Sequence, residues 1–135
     1  MKILFVCKGN VGRSQIAEGL FRKLHPDIEV VSAGTALSGP EQPIGELIPG
    51  IQEVLDVMQE EGVDVSGYAR KQLTEEMVHE ADKVIVIMED AAPLPEYLKE
   101  SSKVVCWSVP DPKGKDLEFT RGVKDQIKGL IKELR

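Results

Sequence analysis

Cys7 and Arg13 are separated by five residues, Lys8-Gly9-Asn10-Val11-Gly12, and Ser14 follows at once. A thiol and a guanidinium at that spacing suit attack on phosphorus. Gly9 and Gly12 allow the backbone to fold tightly, so that successive N–H groups point inward and form a nest for an anion. A helix starting near Arg13 adds its positive end. The Arg13 fork clamps two phosphate oxygens. The same field favours a thiolate, since cysteines at helix N-termini beside cations ionise at about pH 3.5–7.5. Ser14 is placed to donate to the sulfur and Asn10 to hold the loop in shape. Displacement at phosphorus also needs an acid for the leaving oxygen. Asp111 in Val109-Pro110-Asp111-Pro112 is the candidate, its carboxyl stiffened by proline on both sides.

The elements that position these groups alternate. The apolar run 2–6 reads as a buried strand ending in the Cys7 loop. From Ser14 the spacing of Ile16, Ala17, Leu20, Phe21 and Leu24 predicts a helix that stops before Pro26. A second strand is expected over 28–32. Residues 36–50, rich in Pro and Gly, read as a long surface loop, and a second helix runs from Ile51 to Gly62. After a connector over 64–73 come a short helix starting near Thr74 and a buried strand over 83–88. A short helix over 95–99, a strand over 103–107 and a closing helix over about 118–134 complete the chain. Four strands separated by helices, two of them apolar throughout, predict a three-layer α/β domain: a parallel sheet with helices on both faces, in one domain over 1–135. Ligand sites in such sheets lie beyond the carboxyl ends of the strands. The Cys7 loop follows the first strand and the Asp111 loop the fourth, so both emerge at that edge.

The net charge is −6, which speaks against an extended nucleic-acid or membrane face. No apolar run approaches the roughly 18 residues of a membrane span, and the cytoplasm is the expected compartment. Cys7 and Cys106 give neither a disulfide framework nor a metal cluster, and His25 and His79 show no ligand spacing. No metal is expected. Cys106 reads as a small core residue.

Together these residues resemble the low-molecular-weight protein tyrosine phosphatase family over nearly the whole chain. The resemblance rests on VCKGNVGRSQIAEGLFRKL at the start, SAGT at Ser32–Thr35 and VPDP near the end. Weaker matches are Asp64-Val65-Ser66 with Ala69-Arg70, and the strand ending Met88-Glu89-Asp90. It implies a sheet of order 2-1-3-4, no cofactor, and a protein-tyrosine-phosphatase-like hydrolase working through a phosphocysteine intermediate. Cys7 would be nucleophile, Arg13 phosphate clamp and Asp111 acid and base. Lys8, Gly9, Asn10, Val11, Gly12 and Ser14 would cradle the phosphate or support the cradle. The implied partners are a phosphorylated protein or small aryl phosphate, with inorganic phosphate or another oxyanion in the loop.

The chain departs from the family at several points. Many members carry a second cysteine where Gly12 stands, and a histidine shortly after the position of Ser66, where Gly67 and Tyr68 stand here. Aromatic residues usually follow the Asp-Pro pair; here Lys113-Gly114 follow, and the 36–50 loop has no aromatic residue, which leaves a phenyl ring few stacking partners. Some relatives act on phosphoarginine, with Thr where this chain has Val11.

Three rival readings remain on the residues alone. Cys7–Ser14 nearly matches the nucleotide loop G-x-x-x-x-G-K-[ST], with Cys7 and Arg13 at the two defining positions. A thiol-coupled arsenate reductase can use the same loop, but needs further cysteines to carry the oxidation away, and Cys106 is the only other one. A non-catalytic phosphate sensor would bind without turnover.

Overall fold

In the computed structural model, which describes residues 1–37, 39–47, 51–89 and 94–134, the first apolar run is strand β1 (Lys2–Cys7). It leads through the Cys7 loop into α1 (Arg13–Leu24), then β2 (Glu29–Gly34) and a single 3-10 turn at Ile44–Leu47. Helices α2 (Gln52–Glu60) and α3 (Glu75–Glu80) precede β3 (Lys83–Ile87). Helix α4 (Glu96–Lys99), β4 (Val104–Trp107) and α5 (Leu117–Glu133) follow. The four strands form one parallel sheet in the order β2-β1-β3-β4. Residue 38, residues 48–50 of the expected surface loop, and Asp90 at the end of the third apolar run lie outside the described residues.

Successive strand side chains point to opposite faces, and β1 divides its apolar residues accordingly. Ile3 and Phe5 pack with Ile85, Ile87 and the buried faces of α1, α2 and α5. Leu4 and Val6 pack with Val84, Val86, Val78 of α3 and Leu98 of α4. Cys7 shares the parity of Ile3 and Phe5, and therefore the α1 side. Ser32 shares the parity of Val30 and faces α1 too.

Strand β2 continues two residues beyond the expected end. Gly34 pairs with Cys7 in the parallel register, and its N–H donates to the Lys71 carbonyl. Beyond it, the Thr35 and Ala36 N–H groups donate to the Cys7 and Lys8 carbonyls, so the SAGT segment runs beside the Cys7 loop. Cys106 is the clearest correction to the sequence reading: it is exposed, not core. β4 is an edge strand paired only to β3, and the neighbouring Val105 is 44% exposed as well.

Helix α2 is fixed to α5 by charge. Glu61, just past the end of α2, lies 2.9 Å from both Lys124 and Lys128, which are one turn apart on α5. Hydrogen bonds from Lys128 and Lys124 hold its carboxyl at about 2, against an ordinary 4.5. A carboxyl depressed in the folded state stabilises the fold above about pH 4.5, and that contribution is lost as pH falls toward 2. Glu61→Gln, which leaves Lys124 buried with only Asp125 in reach, should lower the unfolding free energy at pH 7 by about 2 kcal/mol. In urea titrations the gap to wild type should narrow steadily below pH 4.5; a gap independent of pH would contradict the assignment.

Candidate active site

The Cys7–Arg13 loop is built around Asn10. This residue takes a left-handed backbone conformation, φ 55°, which asparagine tolerates better than most side chains. The turn brings the Asn10 N–H to 3.3 Å from the Cys7 sulfur. The Ser14 hydroxyl lies 3.0 Å from the same atom. Asn10 Nδ2 donates to Ser14 Oγ at 2.7 Å and to Ser32 Oγ at 3.0 Å. With an N–H already on its oxygen, Ser14 has its own proton to give to the sulfur. The network runs on: Ser32 donates to Glu18 Oε1 at 2.6 Å, and Glu18 Oε2 accepts from Arg22 Nε at 2.9 Å.

In front of the sulfur, Arg13 comes from the first turn of α1, whose cap Gly12 offers no side chain and whose first turn holds no acid. Its N-terminal N–H groups are thereby left for an anion. Arg13 Nη1 donates to the Val109 carbonyl at 3.0 Å, and Nη2 lies 3.6 Å from Asp111 Oδ2. One guanidinium thus holds the Asp111 loop over the Cys7 loop. The Arg13 side chain is 8% exposed and that of Asp111 54%, so the carboxyl reaches into solvent-accessible space. Asp111 Oδ1 also accepts from the Lys113 N–H at 2.9 Å. Pro112 packs on Gly12, where an added Cβ would meet its Cγ at 3.4 Å.

These groups open on one cavity of about 470 Å³. Its floor is the loop from Cys7 to Gly9 with Val11, Gly12 and Arg13, and Asp111 and Pro112 form one rim. Leu47, Ile51 and Val54 form an apolar wall without an aromatic residue. Of the expected site residues, only Asn10 and Ser14 are missing from the lining. Both are fully buried behind the sulfur, where they support the loop rather than meet a ligand.

Several residues of the site escape a sequence reading. Glu53 lines the cavity, together with Arg70 and Lys113, which the sequence had already brought to notice. Gln15 and Glu18 are buried polar residues of α1. Helix α1 is buried over nine consecutive residues, from Arg13 to Phe21, so apolar spacing marks only part of its covered surface. A glutamate between Ala17 and Gly19 in that stretch was the available signal. Among the described residues, no group of three or more His, Cys, Asp or Glu is arranged to hold a metal ion, and no helix is long and apolar enough to cross a membrane.

The family model described as low molecular weight phosphotyrosine protein phosphatase matches residues 2–135. The chain belongs to this family. The crystal structure of the low molecular weight protein tyrosine phosphatase from T. tengcongensis superposes with a TM-score of 0.79 at 31% identity, over 98% of this chain and 96% of that one. An arsenate reductase in the phosphate binding state gives 0.77 at 29% identity, over 98% and 94%. By sequence, arsenate reductase 2 of Staphylococcus epidermidis is 30% identical over 134 residues, 98% of this chain and 95% of its own. The protein is therefore an enzyme of a cysteine-based phosphatase family with the expected 2-1-3-4 sheet.

Gly34 offers a test of the loop's support. An added Cβ there would lie 2.6 Å from the Lys8 carbonyl oxygen and 3.0 Å from the Asn10 nitrogen, both backbone atoms. Gly34→Ala should displace the Cys7 loop and weaken competitive inhibition by inorganic phosphate about tenfold or more, the scale on which small misplacements act. Unchanged inhibition would show that the loop is not braced there.

Proposed function

We propose that this protein hydrolyses phosphate monoesters by way of a phosphocysteine on Cys7. The observation that carries the reading is the sulfur itself. It lies at the floor of the cavity with donors from Asn10 and Ser14 on one side and the Arg13–Asp111 pair on the other. In the first step a lone pair of the Cys7 thiolate forms the S–P bond. The P–O bond to the leaving group breaks, and that oxygen takes a proton from Asp111. Arg13 and the uncapped N–H groups at the start of α1 hold the phosphoryl oxygens as charge spreads over them. In the second step Asp111 takes a proton from water as the water oxygen attacks phosphorus. The P–S bond breaks, releasing inorganic phosphate and restoring the thiolate.

The substrate is a phosphorylated protein or a small aryl phosphate, handled by residues 1–135 as a single catalytic domain. The reaction needs a reduced thiol, which fits the cytoplasm. The wall of Leu47, Ile51 and Val54 accepts an apolar leaving group but offers no ring on which a phenyl group stacks. Phosphotyrosine is thus within reach without being specifically selected.

The arsenate reductase reading needs a second thiol able to reach the first. Cys106 is in register with Val86, and Val86 with Val6, so it is two strands from β1 and on the face opposite Cys7. Its position supports hydrolysis over thiol relay.

Cys7→Ser should abolish hydrolysis of p-nitrophenyl phosphate with the circular dichroism spectrum unchanged; surviving turnover would refute the nucleophile. Asp111→Asn should cost about 10²–10³-fold for phenyl phosphate, whose leaving oxygen needs the proton, and far less for p-nitrophenyl phosphate. Equal losses on the two substrates would remove Asp111 from the acid role.

A further inference from the structure

Behind the sulfur lies an amide whose sense of orientation matters more than its position. Asn10 can donate to Ser14 only with its nitrogen toward α1 and its oxygen toward Lys71. Turned by 180°, its oxygen would face Ser14 and draw the hydroxyl proton away from the sulfur. Two donors oppose that turn: the Lys71 N–H, 2.8 Å from Asn10 Oδ1, and Gln15 Nε2, 3.2 Å from the same atom. A reversed Asn10 would set its NH₂ group against both.

Gln15 is held in turn. Its Nε2 donates to the Asn10 backbone carbonyl at 3.1 Å and to the Ala69 carbonyl at 3.2 Å, besides Asn10 Oδ1. Three acceptors around one nitrogen leave no choice of sense, since the reversed amide would aim an oxygen at three oxygens. The residue is fully buried, and Gln15 Oε1 is the one buried side-chain nitrogen or oxygen without a hydrogen-bond partner among the described residues. Such an orphan acceptor is destabilising. It is tolerated here because the donor end is committed to Asn10.

Resting on the reading of Cys7 as nucleophile, we propose that Gln15 is a positioning residue for the thiolate. By donating to both oxygens of Asn10 it holds the left-handed turn and fixes the sense of the Asn10 amide. That sense leaves the Ser14 proton for the sulfur. Gln15 touches neither substrate nor sulfur.

The test is alkylation of Cys7 by iodoacetamide against pH, read by mass spectrometry of the Cys7 peptide, a measurement that needs no substrate and so stands whether or not the protein is a phosphatase. Gln15→Met keeps the length and loses the donors. Its alkylation at pH 6 should be about tenfold slower than wild type and converge with it at high pH, the signature of a less favoured anion. The other charges around the sulfur, Lys8, Arg13, Glu53, Arg70, Asp111 and Lys113 in the cavity and Glu18 behind Ser32, are unaltered by the change. In an Asn10→Ala background, Gln15→Met should add nothing, because the two act as a unit. A wild-type alkylation profile in Gln15→Met, or full additivity with Asn10→Ala, would overturn the proposal. Should Gln15→Met not fold, the unsubstituted protein decides: the side-chain amide signals of Gln15 and Asn10 in ¹⁵N–¹H spectra should move together as the thiol ionises. A Gln15 signal indifferent to that ionisation would overturn it equally.

Discussion

Burial penalises an anion, yet Cys7, the proposed nucleophile, is only 3% exposed. What offsets burial is a set of donors with no freedom to turn away. The Asn10 N–H is fixed by a left-handed turn, the Ser14 hydroxyl by the Asn10 amide, and that amide by Lys71 and Gln15. Fixed dipoles stabilise charge without reorganising as it develops. The sheet, α1 and the 69–73 segment serve to hold those few donors in place.

The same economy governs the front of the site. Arg13 ties the Asp111 loop to the Cys7 loop through the Val109 carbonyl and the Asp111 carboxylate, so the proposed clamp also positions the proposed acid. Gly12 lets Pro112 settle against the loop. The apolar wall runs from the 3-10 turn into the first turn of α2, and the far end of that helix is fastened to α5 through Glu61.

Much of this was legible in the residues. Local patterns located the strand before Cys7, the helix after Arg13 and the closing helix, because apolar spacing adjoins a clear breaker in each case: Gly9, Pro26 and Gly114. The Cys7–Ser14 motif was legible because its chemistry depends on neighbours in sequence. What was hidden depends on tertiary approach. Gln15, Glu18 and Ser32 belong to two different elements, and nothing local says that they join one network with Asn10. Cys106 misled for the same reason, since its residue type favours the core while its strand lies at the sheet's edge.

The most direct test of the whole account is the pH at which Cys7 of the unsubstituted protein becomes reactive toward iodoacetamide. Peptide mapping is needed because the exposed Cys106 also reacts. Alkylation of Cys7 is expected to be already at its plateau at pH 7 and to be suppressed by inorganic phosphate. A rate still climbing through about pH 8.5, as for a free thiol, and indifferent to phosphate would contradict it.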